Sequence, residues 1–176
     1  MHQKVENLEP QKELLGHTAG NFPVHLNEKS SHAQTHLIQH PLLLDAVKKA
    51  IPTIEGDDDI IRIQVNAGEI IGTTDLVETS PDDEIVYAKR VARDIYSRFV
   101  KNKQPIPTST ITIDIRKETS SAPSYYLYTT FIGGVTPSFP GGEFLPQQSV
   151  EFWSTHALVW GTQEIIAGTE TTVCPW

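Results

Sequence analysis

The sequence Thr108-Ser-Thr-Ile-Thr-Ile-Asp-Ile-Arg116, followed by Tyr125-Tyr-Leu-Tyr-Thr-Thr-Phe-Ile132, decides the fold class of this 176-residue chain. In the first segment three isoleucines alternate with polar residues, which is the period-two pattern of a strand with one buried face. The second segment is rich in aromatic and β-branched residues, which favour strands. The polar stretch Thr119–Ser124 between them predicts a turn, so we expect an antiparallel pair of strands.

Two helices are predicted on either side of this pair. Apolar residues recur at helical spacing from Pro41 to Ile51, and Pro52 ends the run. A similar apolar face extends over residues 149–160 until Gly161 stops it. Both patterns indicate helices that pack one face on a sheet.

The sheet is expected to cover residues 60 to 132. The β-branched runs Ile60–Val65 and Ile70–Val77 flank an Asn-Ala-Gly turn and predict a hairpin. We therefore expect an α+β fold with a mainly antiparallel, twisted sheet and two packing helices in a single domain. The predicted organisation is an N-terminal arm at residues 1–30, a single α+β domain at 31–165 and a C-terminal tail at 166–176.

A basic segment, residues 89 to 103, lies in an otherwise acidic chain. The formal net charge of the chain is −8, yet this segment holds six Lys or Arg residues and only one carboxylate, Asp94. It is either an amphipathic helix or a strand that continues to Arg90 and then a loop. Interleaved aromatic residues make the segment typical of a surface that binds phosphate and stacks on bases. A solvated surface helix accounts for the same charges without a ligand.

The amino-acid composition favours a soluble globular protein over a membrane-spanning or secreted one. With 38% hydrophobic and 20% charged residues, the chain is typical of a soluble globular protein. No apolar run approaches the roughly 18 to 20 residues that a membrane span needs, and Met1–Pro10 lacks the apolar core of a secretory signal. The single cysteine, Cys174, agrees with a reducing compartment. We expect a cytoplasmic protein without membrane association.

Four of the histidines in the first quarter of the chain lie close together, at His25, His32, His36 and His40. The last three are spaced four apart, which on one helix would align their imidazoles for a transition metal. However, Pro41 disfavours a helical conformation at His40, and no clear carboxylate or cysteine partner completes the set. We therefore expect solvated or capping histidines, with no metal and no cofactor.

The chain looks like an uncharacterised bacterial protein family in the run Ile85–Arg90, in the series Arg93, Tyr96, Arg98 and Phe99–Lys101, and in the run Phe152–Trp160. This resemblance spans roughly residues 60 to 165 and implies no activity. The Tyr-Leu-Tyr-Thr-Thr-Phe string of the last predicted strand is also distantly similar to hairpins of the barnase/RelE-like ribonuclease toxins. That similarity implies metal-independent RNA cleavage, with an imidazole or basic group on the ribose 2′-hydroxyl, arginines on the phosphate and a hydroxyl on the oxyanion. This chain departs from those toxins because it is acidic and lacks a histidine in the hairpin.

The resemblance gives roles to particular residues. His156 is the expected base, because it is the only histidine beyond the first quarter and histidine ordinarily titrates near neutral pH. Arg90 and Arg93 would hold the scissile phosphate, and Thr129 would donate to the oxyanion. The other predicted contacts to RNA are Lys89, Tyr96, Arg98 and Lys101. A purely structural interpretation, in which His156 packs between tryptophans, remains open.

Two functions are open on this basis. One is a metal-independent RNA-cleaving or RNA-binding domain, an endoribonuclease if it is an enzyme, with RNA or a nucleotide phosphate as partner. The other is a noncatalytic binding or accessory protein with an apolar groove and a basic rim, for which a protein is the alternative partner. An enzyme requires a titratable base within hydrogen-bond reach of arginines, which the binding protein does not.

Overall fold

The computed structural model describes residues 12–119 and 123–176. These residues form an α+β fold with eleven strands and three α-helices, which confirms the predicted fold class at that level. The helices are α1 (Ser31–Gln39), α2 (Pro41–Ala50) and α3 (Gln147–Thr155). The strands are β1 (Glu13–His17), β2 (Pro23–Leu26), β3 (Ile60–Asn66), β4 (Gly72–Thr74), β5 (Leu76–Glu78), β6 (Ile85–Lys89), β7 (Tyr96–Val100), β8 (Ile106–Thr108), β9 (Thr110–Lys117), β10 (Tyr125–Ile132) and β11 (His156–Val159).

The chain divides into two compact units, and each is built from two separate stretches of sequence. Among the described residues, the first unit comprises those up to Gly72 together with those of Thr108–Gly134. The second comprises Thr73–Pro107 together with Val135–Trp176. Buried apolar clusters lie within each unit. The sequence prediction placed residues 31–165 in one domain, whereas the structure shows a core in each unit.

The predicted strand pair lies inside the sheet of the first unit. β9 and β10 are antiparallel, with Ile115 opposite Leu127 and Ile111 opposite Ile132. The sheet order is β1-β2-β10-β9-β3, and β2 runs parallel to β10, so the sheet is mixed. The isoleucines of β9 are fully buried, as their alternation predicts. The predicted turn at Thr119–Ser124 falls partly on residues outside the described ranges.

Two N-terminal helices pack into the first unit's core. α2 begins at Pro41 as predicted and buries Leu43 and Val47. His40 before it has an extended backbone, which separates α2 from α1. α1 buries Ala33 and lies beside β10; it was not one of the two predicted helices, because its sequence is largely polar. Strands β1 and β2 also fall within the stretch predicted to be an N-terminal arm.

The second unit contains a four-stranded sheet in the order β5-β11-β7-β6, with β11 parallel to β7. The basic segment contributes part of it, so the helical interpretation of residues 89–101 was wrong. β6 and β7 are antiparallel and place Tyr87 opposite Arg98. Between them the chain turns sharply at Ala92, which has a φ of 65°. The strand alternative is correct as far as Lys89, where β6 ends; Arg90 forms a separate bridge with Ile165, and the short loop after it leads into β7.

Three other predicted elements differ from the structure. β3 pairs with β9 instead of forming a hairpin with the run that follows it. That second run is divided into β4, which pairs with β8, and β5, which pairs with β11. α3 ends at Thr155, and the residues after it form β11, because Ala157, Leu158 and Val159 are all buried in the middle of the sheet. No helix among the described residues is both long and apolar enough to cross a membrane.

The stretch predicted as a C-terminal tail contacts β6. Thr171 forms a bridge with Tyr87, and the backbone N–H of Ile166 donates to the carbonyl of Lys89. The Trp176 ring meets the Tyr87 ring edge-on, with 5.3 Å between centroids. Residues after 165 are therefore part of the second unit.

Candidate functional site

His156 is the first residue of β11 and lies opposite Glu78 on β5. The neighbouring hydrogen bonds run from Thr79 N–H to the carbonyl of Thr155 and from Val159 N–H to the carbonyl of Asp75. Histidine and glutamate therefore occupy a non-hydrogen-bonded pair, the position in which facing side chains of an antiparallel ladder come closest. The distance from His156 Nε2 to Glu78 Oε1 is 4.0 Å.

The end of α3 holds the other edge of the imidazole. The His156 ring stacks on Phe152, with centroids 4.1 Å apart and planes 5° from parallel. Its Nδ1 lies 3.1 Å from the Phe152 carbonyl oxygen and 3.0 Å from Thr155 Oγ1. Since a carbonyl oxygen only accepts, its bond to Nδ1 requires the ring proton there. In the neutral ring Nε2 then carries the lone pair, on the side of Glu78.

His156 lines a cavity of about 600 Å³ in the second unit. This volume falls within the range of about 300 to 1,000 Å³ that is typical of small-molecule sites. Its other lining residues are Leu76, Val77, Glu78, Lys103, Gln104 and Ile106. The lining thus combines aliphatic side chains with an imidazole, an ammonium group, an amide and a carboxylate. We call it the His156 cavity.

Backbone groups of β5 also face away from β11 at this cavity. β5 is at the edge of its sheet, and Leu76 and Glu78 belong to the pairs that do not hydrogen-bond to β11. The Leu76 N–H donates to Thr74 Oγ1 at 3.2 Å, and the Glu78 carbonyl accepts from Lys103 Nζ at 3.0 Å. Lys103 also lies 3.5 Å from Asp83 Oδ2. A lysine in this position protects an open strand edge.

Arg98 lies inside the sheet. It is only 9% exposed, and its Nη1 donates to Thr79 Oγ1 at 2.8 Å and to the His156 carbonyl at 2.9 Å. The side chain therefore ties β7 to the residues that carry the His156 cavity. Beside it, burial raises the pKa of Tyr87. The structure gives Arg98 a positioning role at the backbone of His156.

The other basic residues of the segment mostly contact their own unit. Arg90 donates from Nε to Ser97 Oγ at 2.8 Å and from Nη1 to Gln163 Oε1 at 3.0 Å, and burial lowers its pKa. The ammonium group of Lys101 lies 5.0 Å from the centre of the Trp160 ring. Arg93 is exposed in the turn after β6.

Lys89 and Tyr96 lie together at a different, smaller cavity of about 240 Å³. Lys89 Nζ is 5.4 Å from the centre of the Tyr96 ring and 3.9 Å from Asp94 Oδ1. Glycines and prolines supply much of the remaining lining, and His156 does not contribute to it. The structure thus brings together two of the predicted RNA contacts, Lys89 and Tyr96, but at a cavity that does not include the predicted base, His156.

Strand alternation explains this separation within the second unit. Successive side chains of a strand point to opposite faces, so Tyr96 and Arg98 share one face of β7 and Phe99 occupies the other. Leu158 is opposite Phe99, which puts His156 on the same face as Phe99. The predicted base therefore lies across the sheet from two of the predicted contacts.

Thr129 belongs to the first unit. It lies on β10 opposite Asp114, next to a bulge between Leu127 and Thr129, and is half-buried. The other seven predicted site residues belong to the second unit.

Sequence reasoning missed Glu78 and the aliphatic residues of the His156 cavity. β5 and β11 are far apart along the chain, so no local sequence pattern predicts that they pair. Lys103 was recognised as part of the basic segment but was not among the predicted site residues. In the described ranges, no group of three or more His, Cys, Asp or Glu side chains is arranged to hold a metal ion. No family model, curated protein or solved structure significantly matches the chain.

Proposed function

We propose that the second unit binds a ligand without transforming it and that the His156 cavity is its binding site. The observation that carries this proposal is the recess of about 600 Å³ in which Leu76 and Ile106 adjoin Lys103 and His156. Such a lining suits a ligand with an apolar body and an anionic end. The noncatalytic alternative of an apolar groove with a basic rim is favoured over RNA binding, because Tyr96 and the buried Arg98 lie on the face of β7 opposite to that of His156.

Each part of the ligand would have a defined contact. Its apolar body would cover Leu76 and Ile106, the latter 49% exposed in the free protein. Lys103 donates to the Glu78 carbonyl and lies beside Asp83, and the anionic end of the ligand would accept from its remaining N–H; a donor group on the ligand would reach His156 Nε2. Because a hydrogen bond to a charged group contributes about 1.5 to 3 kcal/mol, loss of the Lys103 ammonium should weaken binding about 10- to 100-fold.

An anilinonaphthalene sulfonate dye tests the proposal, since it combines an apolar body with an anion and fluoresces when desolvated. Lys103→Gln and Ile106→Gln should both weaken dye binding. Lys101→Gln and Ile166→Gln are matched controls in the same unit; Lys101 lies over Trp160, and Ile166 is 41% exposed. Near-ultraviolet circular dichroism should show that every variant is folded. Equal affinities for the two lysine variants would contradict the proposal.

A second candidate is metal-independent RNA cleavage, which the orientation of His156 favours. With Nδ1 bonded to the Phe152 carbonyl, Nε2 has the lone pair needed to take the proton of a ribose 2′-hydroxyl. The 2′-oxygen would then attack phosphorus and release the 5′-oxygen, to which the protonated ring returns the proton. Lys103, instead of Arg90 and Arg93, would stabilise the charge on the phosphate oxygens.

Incubation with mixed-sequence RNA in EDTA separates the two candidates. Cleavage by the parent and not by His156→Gln would support the second candidate, provided that His40→Gln, a control in the first unit, still cleaves. Equal cleavage by the parent and the His156 variant would exclude His156 as the base. Dye binding in the cavity without RNA cleavage would favour the noncatalytic function.

A further inference from the structure

The first unit contains a cluster of two arginines around one buried carboxylate, which neither function proposed above uses. Asp114, on β9, is 1% exposed. Arg62 donates from Nε to Oδ2 at 3.0 Å, and Arg116 donates from Nε to Oδ1 at 3.2 Å. Arg62 is directly opposite Asp114 on β3, and Arg116 is two residues along β9, so all three side chains share one face of the sheet.

Both guanidinium groups keep donors for a ligand. A guanidinium group has five N–H donors. Arg62 uses only its Nε on the Asp114 carboxylate, whereas Arg116 uses its Nε and, at 3.5 Å, its Nη2. The remaining Nη groups are accessible, because the two side chains are 42% and 31% exposed. Asp114 thus fixes one edge of each arginine and leaves the other edge open.

Aromatic contacts fix the orientation of Arg116. The centre of its guanidinium lies 3.5 Å from the centroid of the Tyr128 ring, beside the bulge in β10. This stacking holds the plane of the donor groups. Hydrogen bonding from Arg116 to Asp114 raises the pKa of Arg116. An arginine held in this way loses little further side-chain entropy when it binds an anion.

The charge of the cluster is unbalanced. Two guanidinium groups share a single carboxylate, which leaves one excess positive charge. Lys29 adds a cation 5.6 Å from the Tyr126 ring, and Tyr126 is opposite Arg116 in the sheet. Two acidic residues flank Arg116 and are paired elsewhere: Glu118, just after β9, with Lys12 and His25, and Asp59, just before β3, with Lys117. An anion would therefore meet an attractive field at the two arginines.

We propose that Arg62 and Arg116 form a binding site for a phosphate group, in an inorganic ion or a phosphate ester. A phosphate group presents three or four acceptor oxygens and carries more negative charge than a carboxylate, so it can accept from the open edges of both arginines at once. The site lies within the first unit and is independent of the His156 cavity. Asp114 positions the arginines and does not contact the ligand.

Lysine variants test the site without removing its charge. Arg62→Lys and Arg116→Lys keep a cation beside Asp114 but lose the two-donor edge, so each should weaken the binding of inorganic phosphate about 10-fold in calorimetry. Lys48→Gln and Lys49→Gln, both exposed on α2, are controls for a nonspecific charge effect. Acetate should bind the parent more weakly than phosphate does. Lysine variants that lose folding stability but keep phosphate affinity would show that the cluster is structural only.

Hydrogen exchange of the unmodified protein provides a test that no folding defect can obscure. Phosphate should slow exchange in peptides covering β3 and β9 and leave peptides covering β7 unchanged. Equal protection of all three strands, or of none, would overturn the proposal.

Discussion

Replacing Arg98 by methionine is expected to destabilise the second unit. Arg98 is 9% exposed and donates to Thr79 and to the carbonyl of His156. Methionine has an unbranched apolar side chain that adapts to the space, but it has no donor. The substitution therefore removes both hydrogen bonds and leaves the His156 carbonyl without this donor.

The size of the effect follows from those two contacts. Hydrogen bonds to charged groups contribute about 1.5 to 3 kcal/mol each, while burial of methionine in place of a guanidinium returns part of the loss. We expect a net fall of about 3 kcal/mol in the free energy of unfolding. With a urea m value of about 1.5 kcal/mol/M, the unfolding midpoint should fall by about 2 M.

Tryptophan fluorescence reports this change selectively. All three tryptophans, Trp153, Trp160 and Trp176, belong to the second unit. Arg93→Met is the matched control, because Arg93 is exposed in the turn between β6 and β7. Its free energy of unfolding should change by no more than about 0.5 kcal/mol. Indistinguishable midpoints for the two methionine variants would refute the argument that Arg98 holds the sheet together.

Three further predictions concern acid stability, metal and packing. Burial, together with the nearby His40 and His32, lowers the pKa of His36 in the folded protein. The unfolded chain therefore takes up a proton more readily at this position, and the free energy of unfolding falls as the pH drops below the ordinary histidine pKa of 6.5. His36→Gln should therefore raise the urea midpoint above that of the parent, by an amount that grows as the pH decreases. A chelator should leave the melting temperature unchanged, and a fall of several degrees would reveal a structural metal. Gly141→Ala would place the new Cβ 2.5 Å from Ile95 Cγ2 and should lower the free energy of unfolding, measured in urea, by about 1 to 3 kcal/mol. Adding Ile95→Ala should restore part of this loss, and a double variant no more stable than Gly141→Ala would contradict the contact.

The strand pair β9 and β10 was predictable because its signal is local. Alternating isoleucines need only one buried face to produce the pattern, and β9 has its isoleucines in the first unit's core. β7 is different, since its buried residues do not alternate: Ser97 and Arg98 are polar, whereas Phe99 and Val100 are apolar. Without that alternation, the apolar residues of β7 and its flanks matched a helical spacing by coincidence.

The candidate site was predictable only in part. His156 could be singled out because few side-chain types titrate near neutral pH. Its partner Glu78 could not, because the two residues meet through pairing of β5 with β11, which no local pattern encodes. The arginine cluster also depends on nonlocal register, since Arg62 meets Asp114 only when β3 pairs with β9 instead of with the next run.

The interleaving of the two units constrains how a nascent chain can fold. β3 must wait for β9, and the thirty-five residues Thr73–Pro107, which belong to the other unit, are synthesised in between. At roughly 5 to 20 residues per second, that delay lasts about 2 to 7 s. During this time α2 and β3 lack the isoleucines of β9 that complete their core. If the ribosome pauses within this stretch, the nascent first unit therefore exposes apolar surface that chaperones and proteases recognise.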